Sequence, residues 1–260
     1  MPIAAEAAPT KAAGSDGDEV RTVTVDPAAL ALEVLHADPY LAVVNKPAGL
    51  MVHDSALARG EHDFIADRLR MQFDRQVFLV HRLDRATSGC LLFAFDRETA
   101  SALGKVVMSR EVEKDYWAVC RGWPEGDFTI DHDLDGGPGK PLKKPAVTRF
   151  EVLARTECDW PSTGFQTSRY ALVCAHPETG RFRQIRRHLK HASHHLIGDS
   201  SHGDGRHNRA FRMLGIHRML LHARRLAFDH PNGGRIEAVA PVDTQFAKAL
   251  ALFDGFGGTS

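Results

Sequence analysis

The chain has 260 residues, 43% of them apolar, and its 33 Lys and Arg are balanced by 33 Asp and Glu. That is enough for one large or two small domains with a substantial core, and the neutral average gives no hint of a polyanionic partner. No apolar run approaches the roughly 18 residues of a membrane-spanning helix. Residues 1–19 are rich in Ala, Gly and acids and lack the basic start and apolar core of a signal peptide, so residues 1–20 are expected to be a disordered tail. Order is expected from Arg21, where Arg-Thr-Val-Thr-Val alternates like a strand.

Strands are then predicted at Glu33–His36 and Leu41–Asn45 around an Asp38-Pro39 turn. A Lys46-Pro47-Ala48-Gly49 loop leads to an extended Leu50–His53, and Asp63–Phe73 has a helical pattern. Two apolar runs, Val77–Val80 and Cys90–Phe95, read as strands joined by a charged turn. Arg97–Met108 follows as a helix with Leu103, Val106 and Val107 inward, and Glu113–Val119 alternates with Tyr116 and Ala118 on one face. Residues 131–146 read as a loop. Further strands are predicted at Ala146–Val152, Arg169–Cys174, Met219–Phe228 and Arg235–Val239. Helices are predicted at Arg181–His191 and Thr244–Phe253. Many short strands with helices between them, without strict βα alternation, argue for an α+β fold with a largely antiparallel sheet. Cys90, Cys120 and Cys174 lie in apolar runs and no cysteine pair has C-x-x-C spacing, so buried reduced thiols are expected, as in a cytosol.

Charge is distributed unevenly. From Thr179 to Arg225 eleven Lys or Arg face two acids, Asp199 and Asp204. Such a basic segment in a neutral chain points to a local anionic partner.

Asp84 carries the clearest chemical signal. It lies in His81-Arg82-Leu83-Asp84-Arg85-Ala86-Thr87-Ser88-Gly89, between two arginines that favour its charged form. A fixed carboxylate can act as nucleophile or base at a sugar carbon; the competing reading is a structural ion pair in a turn. Tyr116 offers an aromatic face, and stacking on a base contributes about 1–3 kcal/mol; a tyrosine in a strand is otherwise a core residue with a wetted hydroxyl. In Thr179-Gly180-Arg181-Phe182-Arg183-Gln184-Ile185-Arg186-Arg187-His188-Leu189, the residues Phe182, Ile185 and Leu189 fall at helical spacing and should face the core. Arg183, Arg187 and Lys190 then lie on another side, where they meet phosphates or simply solvent. A helix opened by Thr-Gly would itself favour an anion. His188, His191, His194 and His195 raise a zinc site, but no carboxylate or thiolate accompanies them and they do not share one helical face. Gly136-Gly137-Pro138-Gly139-Lys140 lacks phosphate-loop spacing, with Pro141 where Ser or Thr is needed.

These segments resemble one known family. The Asp84 stretch matches the HRLDxxTSG signature of the RluA family of pseudouridine synthases. Lys114-Asp115-Tyr116-Trp117-Ala118 resembles its K-x-Y-x-A segment, Asn45–His53 its NKPxGxxVH segment, and Thr179–His188 its TGRxHQIRxH motif. One departure stands out: the family's histidine before Gln is Arg183 here. The resemblance implies a mixed, mainly antiparallel central sheet with flanking helices and loops around one RNA-binding cleft, spanning residues 21–256 without an extra RNA-binding domain of the S4 kind. It also implies isomerisation of uridine to pseudouridine in RNA without a cofactor, since no electron or group is gained overall. Asp84, Tyr116 and Arg186 would be the catalytic set: Asp84 starts the chemistry, Arg186 pairs with it, and Tyr116 holds the base and takes the C5 proton. Arg82, Arg85, Thr87, Lys46, Arg181, Arg183, Arg187 and Lys190 would contact RNA, although the Asn45–His53 segment reads mainly as structural. The stretch from Arg186 to Asp204, followed by Arg206, Asn208 and Arg209, resembles the TruC branch, which acts on tRNA in the T stem at about position 65. A cytoplasmic enzyme, monomeric and off the membrane, is the expectation. A ribosomal or other tRNA site, an RNA-binding or chaperone module without turnover, and a zinc hydrolase are the competing readings.

Overall fold

The computed structural model describes residues 30–53, 63–161 and 164–256; the expected tail and the strand at Arg21 lie outside them. In chain order the elements are β1 (Glu33–Ala37), β2 (Leu41–Lys46), α1 (Ile65–Phe73), β3 (Phe78–Leu79), β4 (Ser88–Ala94), α2 (Arg97–Met108) and β5 (Glu113–Arg121). They continue with β6 (Phe128–Asp131), β7 (Leu134–Asp135), β8 (Lys143–Lys144), β9 (Val147–Cys158), β10 (Ser168–Pro177), α3 (Gln184–His191), α4 (Gly205–Met213), β11 (Leu221–Asp229), β12 (Arg235–Val239) and α5 (Thr244–Leu250).

The main sheet runs β1-β2-β4-β11-β5-β10-β9-β6, with β12 on β11 and β3 on β4. Among its described strands, only β4 and β11 pair in parallel. This is the mixed, mainly antiparallel sheet expected. Strand alternation explains why β4 is apolar throughout. Leu91 and Phe93 enter one core cluster with Ile65 and Leu69 of α1, while Cys90, Leu92 and Ala94 enter another with Leu103 of α2. Both faces are covered, so every residue of Ser88–Ala94 is buried. A fully buried side chain the size of Phe93 stabilises by about 1.5–3 kcal/mol. On the other half of the sheet, Ala118, Val173, Ile185 and Leu189 fill one face, and Val119, Leu172, Phe246 and Leu250 the other.

The parallel contact is short: Ser88 faces His222 and Gly89 faces Ala223. Gly89 has φ +107°, and a Cβ there would lie 2.2 Å from the Ala223 carbonyl oxygen. This glycine therefore lets the strand that follows the Asp84 turn approach β11.

Several local expectations are corrected. The segment read as a loop over 131–146 contains the β7–β8 hairpin, preceded by β6. Strand β9 extends to Cys158. Its outer half, Leu153–Cys158, carries Arg155 and Glu157, which mask the apolar alternation. Helix α4 was missed because basic residues dominate it, although Asp204 caps its N-terminus by accepting from the Arg206 amide. Helix α3 begins at Gln184, not Arg181; Arg183 caps it in a left-handed conformation, with φ 52°. Phe182 therefore sits outside the helix, half-buried against Gly137 of the hairpin rather than in the core.

Candidate active site

The Asp84 turn lies between β3 and β4 and is tied down from below. The Thr87 amide donates to the Asp84 carbonyl at 3.0 Å, closing the turn. The fully buried Lys46 sends Nζ to the carbonyls of Pro47, Arg85 and Thr87 at 2.8, 3.0 and 2.9 Å. Three acceptors at these lengths use all three ammonium hydrogens. Burial, with Arg218 next, pushes that ammonium down to about 7. The Gly49 amide donates to the Arg85 carbonyl at 2.8 Å, and Arg85 Nε donates to the Gly49 carbonyl at 2.9 Å. The Lys-Pro-Ala-Gly segment is thus a brace under the Asp84 turn. Lys46 and Thr87 are 0% and 2% exposed and hold the turn, and Thr87 also lines the cleft beside Asp84.

Behind Ser88, which opens β4, a buried relay fixes β4 to β11. His222 Nε2 donates to the Ala240 carbonyl at 3.1 Å, so its Nδ1 accepts from the Ser88 hydroxyl at 2.7 Å. Arg218 in turn donates to Ser88 Oγ at 2.8 Å. Burial pushes His222 down to about 4, keeping it neutral.

Arg186, from the first turn of α3, reaches across to Asp84: Nη1 to Oδ2 is 2.7 Å. The other side of its guanidinium is gripped by Asp199, with Nε to Oδ2 at 2.6 Å and Nη2 to Oδ1 at 2.8 Å. Asp199 also accepts from the Ser201 and His202 amides at 2.8 and 3.0 Å. Burial opposes the charge on Arg186, but Asp199 and then Asp84 outweigh it and raise its pKa. Burial likewise opposes the charge on Asp199, and Arg186 and the two amides hold its carboxyl below the usual range. Sequence reasoning missed Asp199 as a site residue. Its signals are its place as one of two acids within the basic segment and its place in the stretch that resembles the TruC branch.

Tyr116 projects from β5 on the face shared with Ala118 and lines the same cleft as Asp84 and Arg186, a cavity of about 460 Å³ that suits a nucleoside-sized guest. Burial pushes its phenol upward, and Cys90 and Asp84 push the same way. The ring is therefore neutral at physiological pH. It can accept a proton only as it releases its own.

The segment before α3 is locked by Gln184. Its Oε1 accepts from Thr179 Oγ1 at 2.7 Å and the Arg181 amide at 2.9 Å, while Nε2 donates to Val147 O and Thr148 Oγ1, both at 2.9 Å. This places Phe182 and Arg183 on the cleft wall, with the Arg183 guanidinium 4.8 Å from the Phe182 ring centroid. Arg187 turns away: it bonds the Asp135 carboxylate at 2.8 Å and the Asp135 carbonyl at 3.0 Å. Arg181 donates to the Pro145 carbonyl at 3.0 Å. Arg82 and Lys190 are exposed, and Arg82 stands at the cleft.

The histidine cluster is dispersed among local partners. His188 bonds Thr148 Oγ1 and the His132 carbonyl, His194 bonds the Arg121 carbonyl, and His191 stacks on His132 with centroids 4.0 Å apart.

A carboxylate held by a buried arginine beside an aromatic wall, in a cleft sized for a nucleoside, describes an enzyme site. The family described as RNA pseudouridylate synthase matches residues 40–191. The chain belongs to that family and is an RNA pseudouridine synthase. It is 42% identical over 234 residues to tRNA pseudouridine synthase C of Vibrio parahaemolyticus, covering 86% of this chain and 95% of that protein. Its identity to the Pasteurella multocida protein of the same name is 41% over 236 residues, covering 86% and 97%. Among solved structures, human RNA pseudouridylate synthase domain containing 4 superposes with TM-score 0.66 at 25% identity, covering 86% of this chain and 94% of that one. Human RNA pseudouridylate synthase domain containing 1 gives 0.64 at 25% identity, covering 82% and 84%.

Proposed function

We propose that this synthase converts one uridine of tRNA, in the T stem at about position 65, to pseudouridine. The observation that carries the catalytic reading is the Asp84–Arg186–Asp199 chain at the Tyr116 wall of the cleft. The tRNA reading is supported by the names of relatives that share about 40% identity along most of their length.

The target uridine is stacked in a duplex and has to be flipped out to reach Asp84. Arg82, exposed at the cleft, guards the vacated space. Asp84 starts the reaction by attacking the sugar or removing its C2′ proton, and Arg186 keeps it aimed. Tyr116 stacks on the uracil and takes the C5 proton while passing on its own. Arg183 and Lys190 face the RNA backbone, with Arg181 and Arg85 beside them; Arg187 is committed to Asp135 and turns away from the cleft. No cofactor is required, because the isomerisation conserves atoms and electrons. We place the enzyme in the cytoplasm as a monomer; among the described residues no helix is long and apolar enough to cross a membrane.

The test is incubation with unmodified total tRNA, without added metal, and nucleotide-resolution mapping of pseudouridine beside an Asp84→Asn control. One Asp84-dependent site in the T stem is expected. Product in ribosomal RNA or another tRNA arm would replace the target but keep the mechanism. An active Asp84→Asn enzyme would sink the mechanism, and RNA binding without any product would leave a binding module.

A further inference from the structure

Lys114 is a cationic residue of the cleft for which the roles above leave no task. It lies two positions before Tyr116 on β5, so the two side chains share a face about 7 Å apart along the strand. Both line the cavity that holds Asp84. Its neighbours Glu113 and Asp115 alternate to the opposite face. There Glu113 pairs with Arg225 at 2.9 Å and with Arg235, and Asp115 pairs with His176 at 2.8 Å. Asp115 also meets Arg225 at 3.3 Å, so both acids next in sequence hold arginine partners of their own. The half-buried Lys114 ammonium has no ion pair or side-chain hydrogen bond among the described residues. Its charged-site neighbour in the wall, His81, is kept neutral: burial first, and then Lys114 itself, push that imidazole down to about 4. A partly desolvated cation without an anion is costly, and a site that keeps one has a use for it.

The reaction supplies the missing anion. When N1–C1′ breaks, the bonding pair stays on the uracil and spreads over O2, O4 and C5. The pair returns to C1′ as the C5–C1′ bond, C5 gives up its proton, and N1 gains one. Between these events the ring makes a half-turn about its N3–C6 axis. That turn exchanges N1 with C5 and O2 with O4. A fixed donor aimed at one ring carbonyl therefore meets an equivalent oxygen before and after. We propose that Lys114 is a catalytic residue whose ammonium holds a uracil carbonyl through cleavage, half-turn and reattachment, neutralising the charge of the detached ring. This rests on the proposed stacking of the uracil on Tyr116.

The test is single-turnover kinetics at saturating RNA with Lys114→Met, Lys114→Gln and Lys114→Arg, each checked for an unchanged melting curve. Loss of one such donor should slow pseudouridine formation about 100-fold in the neutral variants, with partial recovery in Lys114→Arg. RNA affinity and its salt dependence should stay as in the wild type. A second arm places 4-thiouridine at the target. Sulfur is a weaker acceptor, so the wild-type rate should respond to it more than the Lys114→Met rate; the intrinsic effect on the leaving group is common to both and cancels. Full activity in Lys114→Met overturns the proposal, as does an equal sulfur effect in both enzymes. A loss confined to affinity, with the salt slope reduced by about one, also overturns it and makes Lys114 a phosphate contact. A wild type that makes no pseudouridine in tRNA or ribosomal RNA defeats the functional reading, and this proposal falls with it.

Discussion

Asp84 and Asp199 grip the same guanidinium and are otherwise unlike. Asp199 is 0% exposed at its side chain, accepts two bonds from Arg186 and two from backbone amides, and sits in a loop pinned by Asn208. Asp84 is 21% exposed, meets Arg186 through one oxygen, and faces the cleft. One carboxylate is saturated and immobile; the other keeps acceptor capacity for a substrate. Arg186 thus works as a rigid arm anchored on Asp199 and presented to Asp84. The difference shows how a buried cation can be stable and still serve a reacting group: its desolvation is offset mostly on the side away from the chemistry.

The sharpest break between the two acids is expected from Asp84→Asn. Turnover should fall on the order of 10⁴-fold or more, the scale at which loss of a reacting group acts in other enzymes, while RNA binding and thermal midpoint stay near wild type. Asp199→Ala should behave differently. It leaves a buried arginine half-compensated, so stability should drop by about 3–5 kcal/mol, visible as a lower denaturant midpoint, and the rate should fall as Arg186 loses its aim. Equal midpoints for the two variants would remove the distinction between anchor and reactant.

That distinction was only half legible in the sequence. Asp84, Tyr116 and Arg186 stand in motifs that resemble those of the family, and the structure brings them to one cleft. Asp199 lies in the stretch that resembles one branch of the family, but nothing there marks it as a partner of Arg186; that role exists only because α3 and the following loop bring it under the guanidinium. The segment of Lys46 reads as mainly structural, but what the lysine holds is hidden for the same reason. A lysine in a Pro-Gly loop looks like a surface cation until the Asp84 turn is folded over it, with three carbonyls pointing down. The fold class followed from alternation and short strand length. The basic helix α4 and the charged outer half of β9 escaped, because helices and strands whose exposed faces are mostly charged leave little apolar period to read.

The Ser88–His222 and Arg186–Asp199 contacts should also part company in acid. His222, down at about 4 in the folded protein, takes a proton near 6.5 once unfolded. The unfolded state therefore binds more protons below 6.5, and stability falls as pH drops from 6.5 toward 4, by up to about 1.4 kcal/mol per pH unit. Burial drives His81 the same way. Asp199 has its carboxyl held low, so its contribution is present above 3.8 and is lost only below that. The Ser88–His222 contact should thus fail before the Arg186–Asp199 contact. Denaturant midpoints between pH 7 and 4 should show the decline in the wild type and a shallower one in His222→Gln. An identical slope in both would assign the loss elsewhere.

The smallest effects should come from the arginines that flank Arg186, and they extend the comparison from acids to bases. Arg187 is spent on the half-exposed Asp135 of the hairpin, a kind of pair that contributes about 0–1 kcal/mol. Arg183 stacks on Phe182 at the cleft wall and has no carboxylate partner among the described residues. Its left-handed backbone, φ 52°, is an unusual setting for an arginine and keeps the guanidinium at the wall. Arg183→Gln should therefore weaken RNA binding by a few-fold and reduce the slope of log affinity against log salt by about one. Arg187→Gln should leave that slope unchanged and lower the melting point slightly. If both variants changed the slope alike, the basic segment would act as a diffuse field around the cleft, and the division of its arginines into structural and RNA-facing members would be wrong.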